Sequence, residues 1–370
     1  MLNSRFLYIH IPFCDVICHY CHFYTARGME AGDQESFFQA LEKHLDLEEA
    51  NLAPQLSGIY FGGGTPSASP PHLIAGFLKK LEKRIHAETE ITLEANPTRV
   101  SSENVSAWRN AGVNRISLGV QSLCNTTLKR LGRAHSSDEA RVAIDSCLRE
   151  IPNLSCDLIY GVPEQAERDP SEHALELFRL GAKHLSLYHL SLEKNHFLHS
   201  RLPGDSFAWN QLSLVAHALE KKGFEHYEVA SFSLPGHQSR NNKNYWSGGP
   251  YLALGPSAHA FDGQNTRWAF VSNWNEYVVR LQRGESPRAW VETLSPEQRR
   301  LETLFTSLRT SSGLNLQAFE EKFGENLLRT KRSWIERWER EGLARIEDQR
   351  LVLTFSGKML ADEIVAKLGY

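Results

Sequence analysis

The chain has 370 residues, 41 % of them hydrophobic and 10 % aromatic, which allows one large globular domain and a small one. A net charge of -3 argues against a general nucleic-acid or anionic-membrane surface. The opening MLNSRFLYIH has neither the basic start nor the apolar run of a secretory signal, and no stretch holds about 18 consecutive apolar residues, so a soluble, cytoplasmic protein without a membrane segment is expected.

Short apolar, β-branched runs alternate with stretches of helical periodicity. Residues 6–13 (FLYIHIPF), 57–64, 91–97, 115–122, 154–163 and 184–192 read as strands buried on both faces. Helices are predicted at about 34–50, 71–86, 101–111, 137–149 and 171–181, the third opening with a capping pattern at Ser101 to Glu103. Six such alternations predict a parallel sheet curled into a full or partial (β/α) barrel. In that fold the ligand site gathers at the carboxyl ends of the strands. Cys14, Gly62 to Thr65, Glu94 to Asn96, Gln121, Asp157 and Tyr188 would then share one mouth.

Beyond the sixth run, 206–223 reads as a helix and 226–234 as one strand, followed by the polar, aromatic-bearing run QSRNNKNYWSGGPYLALGPSAHAF at 238–261. From about Ser295 the pattern is helix, turn, helix, helix and a short hairpin, with Gly313, Gly324 and Gly342 as breaks and 351–357 as the closing strand. This reads as a small winged-helix-like α+β domain. Its balanced charge favours a structural or docking role over DNA binding. The expected division is a barrel core at 1–235, a barrel-closing region at 236–290 and a C-terminal domain at 291–370.

Three of the six cysteines, Cys14, Cys18 and Cys21, fall within eight residues. A disulfide pairs thiols two at a time, and three this close would leave one over. Cys124, Cys147 and Cys156 stand singly among apolar residues, as small buried side chains do. A structural zinc site wants four ligands and commonly a second pair, which is missing, although His10, His19 or His22 could complete it. An iron-sulfur cubane fits better: three thiolates hold three irons and leave the fourth open to an exchangeable ligand.

The spacing CxxxCxxC after a first barrel strand resembles the radical S-adenosylmethionine (SAM) superfamily. LYIHIPFC, YFGGGTPS, LEANP, ISLGVQS, LKRLGRAH and DLIYGVP are similar, in order, to the anaerobic coproporphyrinogen III oxidase family and its heme-chaperone branch, HemW, over about residues 5–360. The resemblance implies an α/β fold, a partial (β/α)6 barrel, with a [4Fe-4S] cluster on Cys14, Cys18 and Cys21 whose open iron chelates SAM for reductive cleavage to a 5'-deoxyadenosyl radical. It implies that Tyr8 and Phe13 lie beside the cluster and SAM. Gly63, Gly64 and Thr65 would approach the methionyl end of SAM, and Glu94 its ribose or methionine portion. Gln121, Arg133 and Asp157 match positions that line an inner pocket with a second SAM in the oxidases.

Two features point to the chaperone branch. Only seven residues precede Tyr8, where the oxidases carry an extension, and Phe23 stands where they resemble CxxxCxxCxC. A third points away. The branch resembles HNxxYW, and NNKNYW here keeps Asn242, Tyr245 and Trp246 but places Asn241 at the histidine position. Asparagine is a poor ligand for heme iron, and His259 is a nearby alternative. The resemblance thus implies binding of heme or a porphyrin, a heme-acceptor protein, and a low-potential electron donor such as a flavodoxin or ferredoxin, with no nucleic acid. The alternative is a radical SAM oxidase of coproporphyrinogen III or of another substrate; no catalytic residue is assigned.

Overall fold

The computed structural model describes residues 2–27, 31–163 and 170–369. Six strands, β1 (Phe6–Ile11), β2 (Gly58–Gly63), β3 (Glu90–Ala95), β4 (Arg115–Gln121), β5 (Leu154–Tyr160) and β6 (His184–His189), pair in parallel and in sequence order. Helices α1 (Ala31–Glu48), α2 (Pro71–Lys80), α3 (Ser102–Asn110), α4 (Asn125–Arg130), α5 (Ser137–Glu150) and α6 (Pro170–Leu180) connect them. α5 opens with a reciprocal capping box between Ser136 and Glu139, which satisfies two amides that the helix itself leaves unpaired. The expected partial (β/α) barrel is what the chain forms.

The strand runs are buried on both faces, but only one face is apolar. Leu7, Ile9, Ile11, Ile59, Phe61, Ile91, Leu93, Ile116, Leu118, Leu154, Cys156, Leu185 and Leu187 pack in the main core under the helices. Alternate residues, Tyr8, Tyr60, Thr92, Glu94, Arg115, Ser117, Ser155, Asp157, His184, Ser186 and Tyr188, fall on the opposite, lumenal face because side chains alternate along a strand. Burial of Thr92, Arg115, Ser117, Ser155, His184 and Ser186 on that polar face marks a lumen rather than a second core.

The barrel stays open. After α7 (Asp205–Glu220), the expected single strand at 226–234 is a hairpin, β7 (Glu225–Glu228) and β8 (Ser231–Ser233), with β8 antiparallel to β6. The Glu228 carboxylate accepts the Ala230 amide at 3.0 Å and folds the chain back within an otherwise strand-like run. α8 (Arg240–Trp246) carries the NNKNYW residues, and β9 (Leu252–Leu254) adds to the free side of β1. The sheet order is therefore β7-β8-β6-β5-β4-β3-β2-β1-β9. A second sheet, β10 (His259–Phe261), β11 (Thr266–Phe270) and β12 (Arg288–Thr293), flanks α9 (Trp274–Gln282).

From α10 (Pro296–Ser307) onward the chain builds its own core around Leu304, Phe319, Ile335, Trp338, Leu351 and Leu368. The expected closing strand at 351–357 is shorter, Arg350–Leu353, because Thr354 caps a helix through the Gly357 amide. A last helix, Ala361–Gly369, follows. This domain docks on the barrel hairpin: Lys358 Nζ donates to the His226 carbonyl at 3.0 Å, and the Ser311 amide to the Tyr227 carbonyl at 2.9 Å.

Candidate cluster and SAM site

A cavity of about 400 Å³ opens at the carboxyl ends of β1 to β6. Cys14, Cys18, Cys21, Gly63, Gly64, Thr65, Glu94, Gln121, Arg133, Asp157 and Tyr188 all line it. The cysteine loop is pinned at its root: the Cys14 amide donates to the Ala26 carbonyl at 3.0 Å, and the Ala26 amide to Pro12 at 2.8 Å. The end of β2 braces it from below, Gly64 donating to Ile11 and Thr65 to Phe13, both at 2.8 Å.

The glycines at that junction are explained by close approach. A Cβ on Gly64 would lie 2.5 Å from the Pro12 carbonyl oxygen, and one on Gly63 would lie 2.7 Å from the His10 ring. Gly63 also holds φ +117°, which side-chain-bearing residues rarely adopt. The strand end can touch the cysteine loop only because both side chains are missing.

All three thiols are free and face the cavity. Thr65 Oγ1 lies 3.3 Å from Cys14 Sγ, and Arg133 Nη1 donates to Cys18 Sγ at 3.5 Å. Burial pushes the Cys14 and Cys21 thiols up, so metal-free they hold their protons. Coordinated iron reverses that preference, since metal binding deprotonates a thiol. Among the described residues, no three His, Cys, Asp or Glu side chains converge to hold a single metal ion. A cubane spreads its thiolates over separate irons and needs no such convergence. The donor set fits a cluster.

Two carboxyls enter the cavity from below. Glu94 accepts from the Tyr60 hydroxyl at 2.8 Å and from the Gly63 amide at 3.1 Å, and burial still pushes it up to about 7. Asp157 accepts from Ser117 Oγ at 3.3 Å and is pushed up to about 6 by burial. Tyr188 is 47 % exposed, yet burial raises its phenol well above the ordinary range. The two agree because its ring faces internal space. Tyr188 lines this cavity and also a side cavity of about 310 Å³ with Glu228, Asn242, Tyr245, Trp246 and Thr306.

The other expected residues are elsewhere. Tyr8 lies deeper in the lumen, its ring stacked on Tyr60 at 6.0 Å and its hydroxyl 3.1 Å from His10 Nδ1. Phe13 turns outward against Phe37 at 4.8 Å and Trp274 at 6.0 Å. Asn241 is 1 % exposed, packs over Gly58 and leaves both amide atoms without a hydrogen-bond partner. It stands outside the side cavity, which its neighbours Asn242, Tyr245 and Trp246 line. His259 is exposed on β10, 5.6 Å from the Trp290 ring. Missed from the sequence were Tyr60, which orients Glu94, and Tyr20, which lines the cavity between two cysteines. Alternation within β2, where Tyr60 stands between the core residues Ile59 and Phe61, could have found Tyr60; nothing in the cysteine spacing singles out Tyr20.

Comparison with known proteins extends this reading. Residues 8–177 match the radical SAM superfamily and residues 294–360 the HemN C-terminal domain. Among solved structures, coproporphyrinogen III oxidase (HemN) from Escherichia coli, a radical SAM enzyme, superposes with a TM-score of 0.85 over all of this chain and 91 % of that one, at 18 % identity. Fold and family match define a radical SAM protein, a class that implies a [4Fe-4S] cluster and SAM. The heme chaperone HemW of Mycobacterium tuberculosis is 32 % identical over 98 % of this chain and 94 % of its own length, and that of Bacillus subtilis 28 % identical over 96 % and 97 %. Radical S-adenosyl methionine domain-containing protein 1, mitochondrial, of Bos taurus is 32 % identical over 98 % and 86 %. The chain belongs to the HemW family of radical SAM proteins. No helix among the described residues is long and apolar enough to cross a membrane.

Proposed function

We propose that this protein holds a [4Fe-4S] cluster on Cys14, Cys18 and Cys21, binds SAM in the strand-end cavity, and carries heme to an acceptor protein in the cytoplasm. The observation that carries the reading is the meeting of three free thiols with Gly64, Thr65, Glu94 and Arg133 around one cavity. When bound, the cluster would be held by Cys14, Cys18 and Cys21 and would supply a low-potential electron and an iron site open to SAM. The chain's own residues shape that site. Gly63 and Gly64 keep β2 against the cysteine loop, Thr65 steadies Cys14, and Tyr60 fixes Glu94 toward the cavity. Arg133 offers a buried Nε–H that has no partner, suited to a carboxylate. A flavodoxin or ferredoxin would supply the electron.

Heme is supported by the relatives' name rather than by the NNKNYW segment. Asn241 is sealed under Gly58, and the side cavity beside it is lined by no imidazole or thiolate. That segment does not fit an axial ligand, so we assign heme iron to His259, whose imidazole is exposed beside an aromatic face. The test is titration of the anaerobically reconstituted protein with ferric heme, run beside an assay for coproporphyrinogen III consumption. Axial-ligand bands lost in His259→Ala support the assignment. Porphyrinogen consumption without heme binding overturns it in favour of an oxidase.

A further inference from the structure

We propose that Arg133 raises the reduction potential of the cluster by placing its guanidinium on one ligand, Cys18. The inference rests on the cluster assignment above. The thiols differ in their neighbours. Cys14 meets the neutral Thr65 hydroxyl at 3.3 Å, and Cys18 meets the Arg133 cation at 3.5 Å. Among the described residues, only this ligand is in contact with a positive charge.

The contact is built rather than incidental. Arg133 follows α4, and its Nη2 donates to the Gly119 carbonyl of β4 at 2.8 Å while Nη1 reaches Cys18 Sγ at 3.5 Å. A Cβ at Gly119 would lie 3.3 Å from Nη2 and 2.9 Å from Gln121 Nε2, so a bare backbone makes room for the guanidinium. Among the described residues no carboxylate forms an ion pair with Arg133, and Cys18 is the ligand its guanidinium touches.

Reduction adds one electron to the cluster from the external low-potential donor; no bond forms or breaks. The reduced cluster is one charge more negative, and a cation in contact with a ligand sulfur favours it, as do hydrogen bonds to that sulfur. Removing the charge therefore lowers the potential and makes reduction harder. A residue that only holds SAM would have no such effect without SAM.

The experiment is a mediator titration of the reconstituted protein without SAM, read by electron paramagnetic resonance, with iron and sulfide measured on the same samples. Variants are Arg133→Gln, Arg133→Lys and, as a surface-charge control, Arg109→Gln, whose arginine pairs with Glu150. We expect about four irons throughout. Arg133→Gln should favour the oxidised form at least tenfold at fixed potential, about 59 mV for one electron. Arg133→Lys should fall between it and wild type, and the control should not move. An unchanged SAM-free potential in iron-replete Arg133→Gln overturns the proposal, even if SAM affinity falls. Should that variant lose iron, an unchanged potential in iron-replete Arg133→Lys overturns it instead. Wild type that takes up no iron refutes the cluster assignment, a different result.

Discussion

Replacing Glu94 with glutamine should shift stability relative to wild type by an amount that changes sign with pH. In the folded chain burial lifts the Glu94 carboxyl to about 7 from an ordinary 4.5. The sign follows from where protons bind. Below about pH 4.5 the carboxyl is protonated folded and unfolded, and it costs nothing. As pH rises the unfolded chain ionises first, so stability falls until the folded group also ionises near 7. That interval is roughly 2.5 pH units at about 1.36 kcal/mol each, so wild type loses about 3 kcal/mol at this residue between pH 4 and 8. Glutamine cannot ionise. It keeps an acceptor for the Tyr60 hydroxyl but presents an amide to one of the two donors now held by the carboxylate, costing about 1 kcal/mol. Glu94→Gln should therefore be less stable than wild type by about 1 kcal/mol at pH 4.5 and more stable by about 2 kcal/mol at pH 8. Urea denaturation of the metal-free protein at both pH values, followed by tryptophan fluorescence, measures the difference. An offset of the same sign and size at both would refute the claim that a buried carboxylate is kept in the lumen at the expense of stability.

Three further outcomes are expected. Alanine at Cys14, Cys18 or Cys21 should abolish iron uptake in anaerobic reconstitution, while alanine at Cys124, Cys147 or Cys156 should leave it intact; iron and sulfide analysis decides. Gly64→Ala forces a methyl into the Pro12 carbonyl and should cost about 1–3 kcal/mol together with most of the iron, whereas Gly76→Ala, in α2 with nothing within 4 Å, should stabilise by up to about 1 kcal/mol. Equal iron content in the two variants would show that the glycine contact does not hold the cysteine loop. Asn241→His should lower stability by about 1–3 kcal/mol by overpacking a sealed position and leave the Soret band of added heme unchanged; a sharpened band would show that residue 241 reaches heme.

Much of this architecture was legible because its signals are local. The six strand runs, their intervening helices and the three-cysteine loop are each set by contiguous residues, and the strand-end rule brought Cys14, Thr65, Glu94, Gln121, Asp157 and Tyr188 to one mouth, where they lie. The polar lumen was present in the same strings as strict alternation, as in Tyr8 between Leu7 and Ile9 or Asp157 between Cys156 and Leu158. It reads as general burial unless the two faces are separated. Residues 225–233 resemble one strand because the reversal is made by a Glu228 side chain and not by glycine or asparagine. Contacts across long separations left no trace: Arg133 reaches Cys18 over 115 residues, and β9 joins β1 from the far end of the barrel. NNKNYW misled in the opposite direction, since the matching position, Asn241, is packed inward rather than open to a ligand.

The central claim, a cluster with one iron open to SAM, is tested most directly by electron paramagnetic resonance of the reduced, reconstituted protein before and after SAM is added. The account predicts a cubane spectrum that changes on saturation with SAM and is absent in Cys18→Ala. A reduced cluster whose spectrum stays the same at saturating SAM, or stoichiometric zinc in place of iron in protein purified without oxygen, would contradict it.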